Sequence, residues 1–220
     1  MFKILPDLLN HAEVQRLREL ADVIPYQDGK STNPDFQLKN NLQPDPQAPS
    51  SQESAQLVQS ALVRNPWVRE TCFPKALGAP LLSKYEPGMS YGEHVDTPVL
   101  AGSPPVRVDI SCTVFVAEPD SYDGGELIIR LADREVSVKE KPGSAVFYPS
   151  TCFHRVAPVT RGTRLVAITF IESRIRDTHR REILNELQGC INDYGAKLSQ
   201  EANMRLEFVR TNLVRLWYED

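Results

Sequence analysis

The sequence lacks the long apolar run that a membrane-spanning helix needs. No stretch of its 220 residues approaches the roughly 20 consecutive apolar residues that are required to cross a bilayer. The first apolar residues are interrupted by Pro6 and Asp7, which makes the N-terminus a poor signal peptide. We therefore expect a cytoplasmic protein with no membrane partner.

Cysteine is scarce, and its spacing excludes the usual cysteine frameworks. The four cysteines are dispersed and form no CxxC pair: Cys72, Cys112, Cys152 and Cys190. Such spacing is typical of free thiols in a reducing compartment, and it argues against a disulfide scaffold or a thiolate zinc site.

The chain also lacks an excess of positive charge. It has 25 Lys and Arg residues against 29 Asp and Glu residues, which gives a net charge of −4. Nucleic-acid binding depends on basic contacts to phosphates, so this balance argues against a nucleic-acid partner. The hydrophobic fraction of 41% is ordinary for a globular chain that is long enough to bury its own core.

The N-terminal third predicts two helices separated by a polar segment. Asn10 and Glu13 form a capping-box pattern at the start of the first helix, which Pro25 ends. Residues 50–53 repeat this pattern and predict a second capping box at the start of the second helix. Residues 27–50 are rich in Pro, Asn and Gln, and they predict an extended segment or a surface loop.

From about residue 80 the chain consists of short segments rich in β-branched and aromatic residues, separated by turn signals. The predicted strands are residues 81–86, 106–117, 126–131, 135–139, 144–148 and 165–172. Residues 106–116 alternate strictly, which predicts one apolar face and one mixed face. Many short strands at this spacing favour a sandwich or jelly roll over βαβ units.

Helical periodicity returns after Ser173. The pattern predicts one helix that ends at Gly195 as its C′ residue and another with Ser199 as its N-cap. The second helix carries an apolar stripe, which consists of Ala202, Leu206, Val209, Leu213 and Leu216. Packing of this helical pair on the β core is one interpretation of the stripe, and a homodimer contact is the other.

Two histidines and one carboxylate in the β region are candidate metal ligands. His94 and Asp96 are two residues apart, so on a strand their side chains point to the same face. An HxD triplet alone is a weak signal, because a surface strand or a His–Asp hydrogen bond gives the same pattern. His154 follows after enough chain for several strands to return to one place, and the three residues together form the facial triad of non-haem Fe(II) oxygenases. A buried, hydrogen-bonded histidine and a zinc ligand are the alternatives for His154.

An arginine near this centre is a candidate anion-binding residue. Arg164 begins the predicted strand 165–172, which we expect to pair with the segment after His154 across the turn at residues 160–163. A guanidinium can bind a carboxylate through two parallel hydrogen bonds. Arg155 and Arg161 are also near, and spacing alone does not choose among the three.

Four motifs in order resemble the iron(II)/2-oxoglutarate dioxygenases, and most closely their prolyl-4-hydroxylase-like branch. The motifs are Tyr85-Glu86-Pro87-Gly88 with Tyr91-Gly92-Glu93-His94-Val95-Asp96; Asp123-Gly124-Gly125-Glu126-Leu127; Gly143-Ser144 with Tyr148-Pro149 and His154-Arg155-Val156; and Gly162 with Arg164. With Asn40-Asn41-Leu42-Gln43 and the helical tail included, the whole chain is similar to the bacterial PKHD-type hydroxylases, which are linked to iron uptake.

The resemblance implies a mainly β fold with flanking helices. Residues 80–173 would form a double-stranded β-helix, or jelly-roll, core. Residues 1–79 would supply N-terminal helices and an extended segment packed on that core. Residues 174–220 would form a C-terminal helical extension.

The resemblance also implies the site and its reaction. His94, Asp96 and His154 match the Fe(II) ligands. Arg164 matches the residue that binds the C5 carboxylate of 2-oxoglutarate, and Tyr85 matches a tyrosine that hydrogen-bonds this co-substrate. The expected reaction uses O₂ and 2-oxoglutarate to hydroxylate a substrate and releases succinate and CO₂. L-Ascorbate (vitamin C) would be the reductant that restores Fe(II).

The substrate, a small molecule or a peptidyl residue, has no readable pattern, and residues 97–105 and 27–50 are candidate lids over it. Nucleic-acid demethylases of this fold carry a second arginine six residues after the first, where this chain has Phe170. Cupins usually show an HxH motif in place of HxD. The alternatives to an oxygenase are a non-redox zinc jelly-roll protein and a partner-binding protein that acts through its helical tail.

Overall fold

The computed structural model describes residues 1–32 and 38–219, so part of the predicted 27–50 segment lies outside the described residues. The described chain has five α-helices: α1 (His11–Val23), α2 (Pro49–Arg64), α3 (Pro66–Cys72), α4 (Thr178–Tyr194) and α5 (Gln200–Trp217). Its strands are β1 (Lys3–Leu5), β2 (Tyr26–Asp28), β3 (Lys39–Asn40), β4 (Leu42–Pro44), β5 (Pro74–Leu77), β6 (Leu81–Tyr85), β7 (Ser90–His94), β8 (Val99–Leu100), β9 (Val106–Arg107), β10 (Ile110–Phe115), β11 (Asp123–Gly124), β12 (Leu127–Leu131), β13 (Arg134–Val138), β14 (Ala145–Pro149), β15 (His154–Val156), β16 (Val159–Arg161) and β17 (Arg164–Ser173).

Two antiparallel sheets form the jelly-roll core that the sequence predicts. The large sheet has the order β1-β14-β10-β17-β6-β4-β2, with β5 paired to β17. The small sheet has the order β13-β12-β15-β7-β3. One apolar cluster contains residues from both sheets, among them Tyr85, Phe115 and Ile129, so the sheets pack face to face.

The helices α1, α2 and α3 cover the other face of the large sheet, where they share a second apolar cluster with it. Every residue of β10 is buried as a result. The alternation predicted for residues 106–116 is present in β10: Ile110, Cys112 and Val114 face the helices, whereas Phe115 packs in the cluster between the two sheets. The mixed face is therefore buried between the sheets. The predicted strand also divides into β9 and β10 around residues 108–109.

The two predicted N-terminal capping boxes have different outcomes. The box at α1 is confirmed: the Asn10 side chain accepts from the Glu13 N–H at 3.0 Å, and the Glu13 carboxylate accepts from the Asn10 N–H at 2.9 Å. The box at residues 50–53 is wrong, because α2 begins at Pro49 and its N-cap, Ala48, has no side-chain cap. Proline at the first helical position has a suitable φ and needs no N–H partner, so the helix begins earlier.

The pairing expected for β17 is also wrong. It pairs with β10, β6 and β5 in the large sheet, whereas β15, which begins at His154, pairs with β12 and β7 in the small sheet. The turn between β16 and β17 therefore crosses between sheets. Gly162 permits this turn, because its φ is +69° and a Cβ there would lie 2.1 Å from the carbonyl oxygen of Ser121.

Residues 39–44 of the polar segment are extended, as predicted, and are not a surface loop, whereas Gly29–Thr32 form a 3-10 helix. Lys39, Asn41 and Gln43 are only 4%, 2% and 2% exposed. β3 joins the small sheet and β4 joins the large sheet, so the segment crosses from one sheet to the other.

The two C-terminal helices are present, but the second does not pack on the β core. α4 buries Leu184 and Ile191. α5 packs on α4, and no side chain of α5 is buried against the described chain, so the core-packing interpretation of its stripe is wrong. Ser199 caps α5 as predicted, whereas Gly195 ends α4 in a right-handed conformation and is not a left-handed C′ residue. Within the described ranges, no helix combines the length and the apolar character that a membrane span requires.

Candidate metal centre

Strand pairing brings the three predicted ligands together. His94 ends β7 and lies directly opposite His154, the first residue of β15, while Asp96 follows β7 by two residues. The Asp96 carboxylate oxygens lie 3.9 Å from Nε2 of His94 and 3.6 Å from Nε2 of His154. One potential ligand atom from each residue lies within 4.8 Å of the others, so a single cation can contact all three.

Backbone carbonyls orient both imidazoles toward the centre. Nδ1 of His94 lies 2.8 Å from the Gly92 carbonyl oxygen, and Nδ1 of His154 lies 3.1 Å from that of Cys152. A carbonyl oxygen only accepts, so each Nδ1 carries the proton and donates it. Each Nε2 therefore has its lone pair free to bind a metal.

Two serines hold the carboxylate of Asp96. The Ser111 hydroxyl donates to Asp96 Oδ2 at 2.6 Å, and the hydroxyls of Ser111 and Ser150 are 2.7 Å apart. Ser111 lies on β10 of the large sheet, so this bond joins the two sheets at the centre. The sequence analysis missed both serines, because no local pattern distinguishes them from other buried serines.

Burial is the main cause of the shifted pKa values of His94 and Asp96. Burial, together with the neighbouring His154, lowers the pKa of His94 to about 4. It also raises the pKa of Asp96, an effect that His154 and the Ser111 hydrogen bond oppose. A neutral His94 at pH 7 is the form that binds a metal.

Arg164 is a buried cation close to this centre. It is 1% exposed, and its guanidinium carbon lies 4.8 Å from the ring centroid of Tyr85, its partner across β6 and β17. Among the described residues no carboxylate forms an ion pair with it, and its Nε has no hydrogen-bond partner. An unpaired buried charge is costly, so this position fits a residue that binds an anion.

The other two candidate arginines are already paired at the surface. Arg155 binds Glu135 through two hydrogen bonds of 2.6 and 2.8 Å. Arg161 binds Asp123 in the same way at 2.7 and 3.1 Å. The structure therefore distinguishes Arg164 from its neighbours, which spacing alone did not.

Tyr85 completes the surroundings of Arg164. It is 3% exposed, and its hydroxyl interacts with the side chains of Asn41 and Arg164. Burial raises the pKa of Tyr85, while Arg164 and the hydrogen bond from Asn41 oppose the rise. The phenol therefore stays protonated at neutral pH and can donate a hydrogen bond.

Two cavities share His94 and Asp96 as lining residues. The inner cavity, about 50 Å³ in volume, extends from the triad to Arg164 and Tyr85. The outer cavity, about 490 Å³, opens on the other side of His94 and Asp96 toward residues 97–101. This arrangement offers separate places for two molecules next to one cation.

The side chains of the remaining histidines and of the cysteines are not among the three candidate ligands. His11 and His179 are exposed in the helical regions. All four cysteines are free, as predicted.

Comparisons of sequence place these features in a known context. Residues 80–172 match the family described as the 2OG-Fe(II) oxygenase superfamily. The chain is 40% identical over 220 residues to a PKHD-type hydroxylase of Sphingopyxis alaskensis, which covers 99% of each chain. It is 37% identical over 219 residues to a PKHD-type hydroxylase of Hyphomonas neptunium, which covers 97% of each.

Solved structures share the fold at low sequence identity. A prolyl-4-hydroxylase of Pseudomonas putida matches with a TM-score of 0.58 and 20% identity, over 78% of this chain and 92% of that one. A prolyl hydroxylase of Trichoplax adhaerens, in complex with a hypoxia-inducible-factor peptide fragment, matches with a TM-score of 0.61 and 12% identity, over 78% and 83%.

Proposed function

Since the chain belongs to the PKHD-type hydroxylases of the 2OG-Fe(II) oxygenase superfamily, we propose that His94, Asp96 and His154 bind its Fe(II) and that Arg164 binds the distal carboxylate of 2-oxoglutarate. The observation that carries this assignment is the convergence of three ligand atoms beside a buried arginine that lacks an ion-pair partner among the described residues.

The donor set suits Fe(II). Two neutral imidazole nitrogens and one carboxylate oxygen are the donor set of non-haem Fe(II) sites, and three protein ligands would leave coordination positions for co-substrate and O₂. When bound, Fe(II) supplies the activation of O₂ that is coupled to oxidative decarboxylation of 2-oxoglutarate to succinate and CO₂. The carbonyls of Gly92 and Cys152 fix the imidazole tautomers for this task.

The other residues of the inner cavity orient the co-substrate and exclude water. The Arg164 guanidinium offers paired N–H donors to a carboxylate, and the Tyr85 hydroxyl offers another donor beside it. Tyr148 packs edge-on against His154, with ring centroids 5.1 Å apart, and closes the cavity on that side. A zinc protein without a co-substrate would leave the buried charge of Arg164 without an anion, so the donor set and the arginine together favour the oxygenase.

Further parts of the proposal rest on family resemblance. They are L-ascorbate as reductant, a small-molecule or peptidyl substrate, and a link to iron uptake. A peptidyl substrate has support from the Trichoplax relative, whose structure contains a peptide fragment. The four free cysteines support a reducing, cytoplasmic location.

We also propose that α5 forms a homodimer contact. Its exposed apolar residues recur at helical spacing, with Met204 60%, Phe208 70% and Leu216 74% exposed. A helix that buries no side chain against the described chain gains little stability from tertiary packing. A second copy is the simplest partner, because a two-fold axis covers the same exposed apolar residues on both subunits.

The test of the oxygenase assignment is succinate formation from 2-oxoglutarate in the presence of Fe(II) and O₂. We expect slow succinate release by the wild type without added substrate, and none by His94→Ala, because the variant loses one of three ligands. His11→Ala, which changes an exposed histidine, is the control and should match the wild type. Equal succinate release by His94→Ala and wild type would refute the assigned ligands.

A further inference from the structure

The segment Lys39–Gln43 turns three polar side chains inward. Lys39, Asn41 and Gln43 alternate with the exposed Asn40 and the half-buried Leu42, which is the period of an extended chain. Burial of polar side chains costs free energy unless they find partners. In this segment every second residue is buried, and each buried residue is polar. Because the segment lies beside the candidate metal centre, we infer a binding role for these three side chains.

The three side chains serve two different cavities. Asn41 hydrogen-bonds the Tyr85 hydroxyl at the inner cavity. Lys39 and Gln43 instead line the outer cavity, together with His94 and Asp96. The segment passes from the small sheet, where Lys39 pairs with Tyr91, to the large sheet, where Gln43 lies on β4. Its side chains therefore reach different cavities.

Gln43 presents an acceptor to which no described residue donates. Its side chain is 2% exposed, and its buried Oε1 has no hydrogen-bond partner in the part of the chain that the structure describes. Buried carbonyl oxygens in folded proteins are nearly always paired, since an unpaired one loses the hydrogen bond that water would give. An N–H or O–H donor on a molecule in the outer cavity would satisfy it.

Lys39 supplies the positive charge of this cavity. Its Nζ lies 5.3 Å from the ring centroid of Tyr91, which stacks on His94 with ring centroids 3.7 Å apart. The carboxylates of Asp28 and Asp96 also attract its ammonium group. Among the described residues of the wall it is the one Lys or Arg, so it is the group that would attract an anion.

The rest of the wall is largely apolar. Leu81, Leu100, Ile168 and Phe170 line it. A ligand of this cavity therefore combines an apolar body with one donor and one anionic or carbonyl oxygen.

We propose that the outer cavity is the substrate pocket and that it selects amino-acid-type substrates with an apolar side chain. The substrate N–H donates to Gln43 Oε1, and its carboxylate accepts from the Lys39 ammonium group. The apolar side chain packs against Leu81 and Phe170. This inference rests on the proposed function, because it places the substrate beside the Fe(II) ligands His94 and Asp96.

The test uses three probes that differ by one group each. N-Acetyl-L-leucine has the N–H, the carboxylate and the apolar side chain; its N-methyl analogue lacks the N–H; its methyl ester lacks the charge. Each is titrated anaerobically into the protein with Fe(II) and 2-oxoglutarate, and the shift of the visible band of the iron–2-oxoglutarate chelate reports binding. We expect the first probe to bind about tenfold more tightly than either analogue, the size of one lost hydrogen bond to a charged or buried group.

Variants assign each preference to its residue. Gln43→Leu should bind N-acetyl-L-leucine and its N-methyl analogue equally, whereas Gln43→Glu keeps an acceptor and should retain the preference for the N–H. Lys39→Met should bind the acid and its methyl ester equally. Gln27→Leu is the matched control, because Gln27 is exposed on the neighbouring strand β2 and lies outside the cavity wall.

The outcomes separate this inference from the proposed function. Absence of the chelate band before any probe is added would refute the proposed function itself. A normal band that no probe shifts, or equal binding of all three probes by the wild type, would refute the substrate pocket alone. The wild-type series decides this even where a variant does not fold, and a preference that persists in Gln43→Leu or Lys39→Met would show that the wrong residue was assigned.

Discussion

At the residue scale, Arg164 and Tyr85 form a buried pair, which we propose as one anion-binding unit. The guanidinium lies over the phenol ring, and both side chains are almost fully buried. Their contact is long-range in sequence, since it depends on the pairing of β6 with β17. The co-substrate carboxylate that we assign to this unit would meet one charged donor and one neutral donor.

The proposed hydrogen bond from the Tyr85 hydroxyl to 2-oxoglutarate can be tested by removing that hydroxyl alone. We expect Tyr85→Phe to raise the KM for 2-oxoglutarate several-fold, because one hydrogen bond contributes about 0.5–1.5 kcal/mol. Iron binding should not change, since the hydroxyl does not contact the triad. Steady-state succinate formation at varied 2-oxoglutarate measures the effect.

Tyr26→Phe is the matched control for this deletion. The Tyr26 hydroxyl is also buried, but it has no hydrogen-bond partner among the described residues, so its removal should leave the KM unchanged. An unchanged KM in Tyr85→Phe as well would show that Tyr85 is only a core aromatic residue.

The sequence predicted the ligands better than the groups that hold them. The HxD spacing is local, so His94 and Asp96 could be recognised from the chain alone. Ser111 donates to Asp96 across two sheets, and such a bond has no signature in the sequence around it. The choice of Arg164 over Arg155 and Arg161 likewise needed the ion pairs that the structure provides.

At the element scale, the turn that precedes β12 lies against the Arg164 side chain at Gly125. Gly125 has a φ of +67°, and a Cβ there would lie 3.0 Å from Cδ of Arg164 and 3.0 Å from a methyl group of Val159. We expect Gly125→Ala to displace the guanidinium and to raise the KM for 2-oxoglutarate, in addition to a backbone cost of about 1–2 kcal/mol.

Gly88→Ala separates the two effects of that substitution. Gly88 has a φ of +88°, but a Cβ there would meet no atom of the described residues within 4 Å. Both variants should lower the melting temperature, while only Gly125→Ala should raise the KM. Similar KM values in the two variants would argue against contact between this turn and the anion-binding unit.

Local elements were predicted well and non-local pairings were not. The capping box of α1 lies within four residues, and the structure confirms it. The partner of β17 depends on which sheet the chain enters after Gly162, and turn residues alone do not encode that choice. The burial of Lys39, Asn41 and Gln43 was missed because polar residues in a Pro- and Asn-rich segment ordinarily indicate a surface loop.

At the scale of the whole molecule, the two C-terminal helices differ in how they are attached to the rest of the described chain. α4 is tied to the start of the chain, because the Met1 ammonium group pairs with Glu182. α5 lies outside this packing. The division of the chain at residues 79 and 173 stays a prediction.

The proposed dimer can be tested by one charge among the exposed apolar residues of α5. We expect the wild type to sediment as a dimer and Phe208→Glu to sediment as a monomer, because the new carboxylate would be buried without a partner at the two-fold contact. Its thermal stability as a monomer should change little, since Phe208 is 70% exposed. Glu207→Ala, an exposed neighbour outside the stripe, should stay dimeric, and a monomeric wild type would refute the contact.

The most direct measurement is anaerobic absorption spectroscopy of the protein with Fe(II) and increasing 2-oxoglutarate. The account predicts a visible chelate band in the wild type and a Kd for 2-oxoglutarate that rises about 30-fold or more in Arg164→Ala, since loss of a buried charged partner costs about 2–5 kcal/mol. Arg161→Ala, three residues away but paired with Asp123 at the surface, should match the wild type. A wild type without the band, or an Arg164→Ala variant with unchanged affinity, would contradict the account.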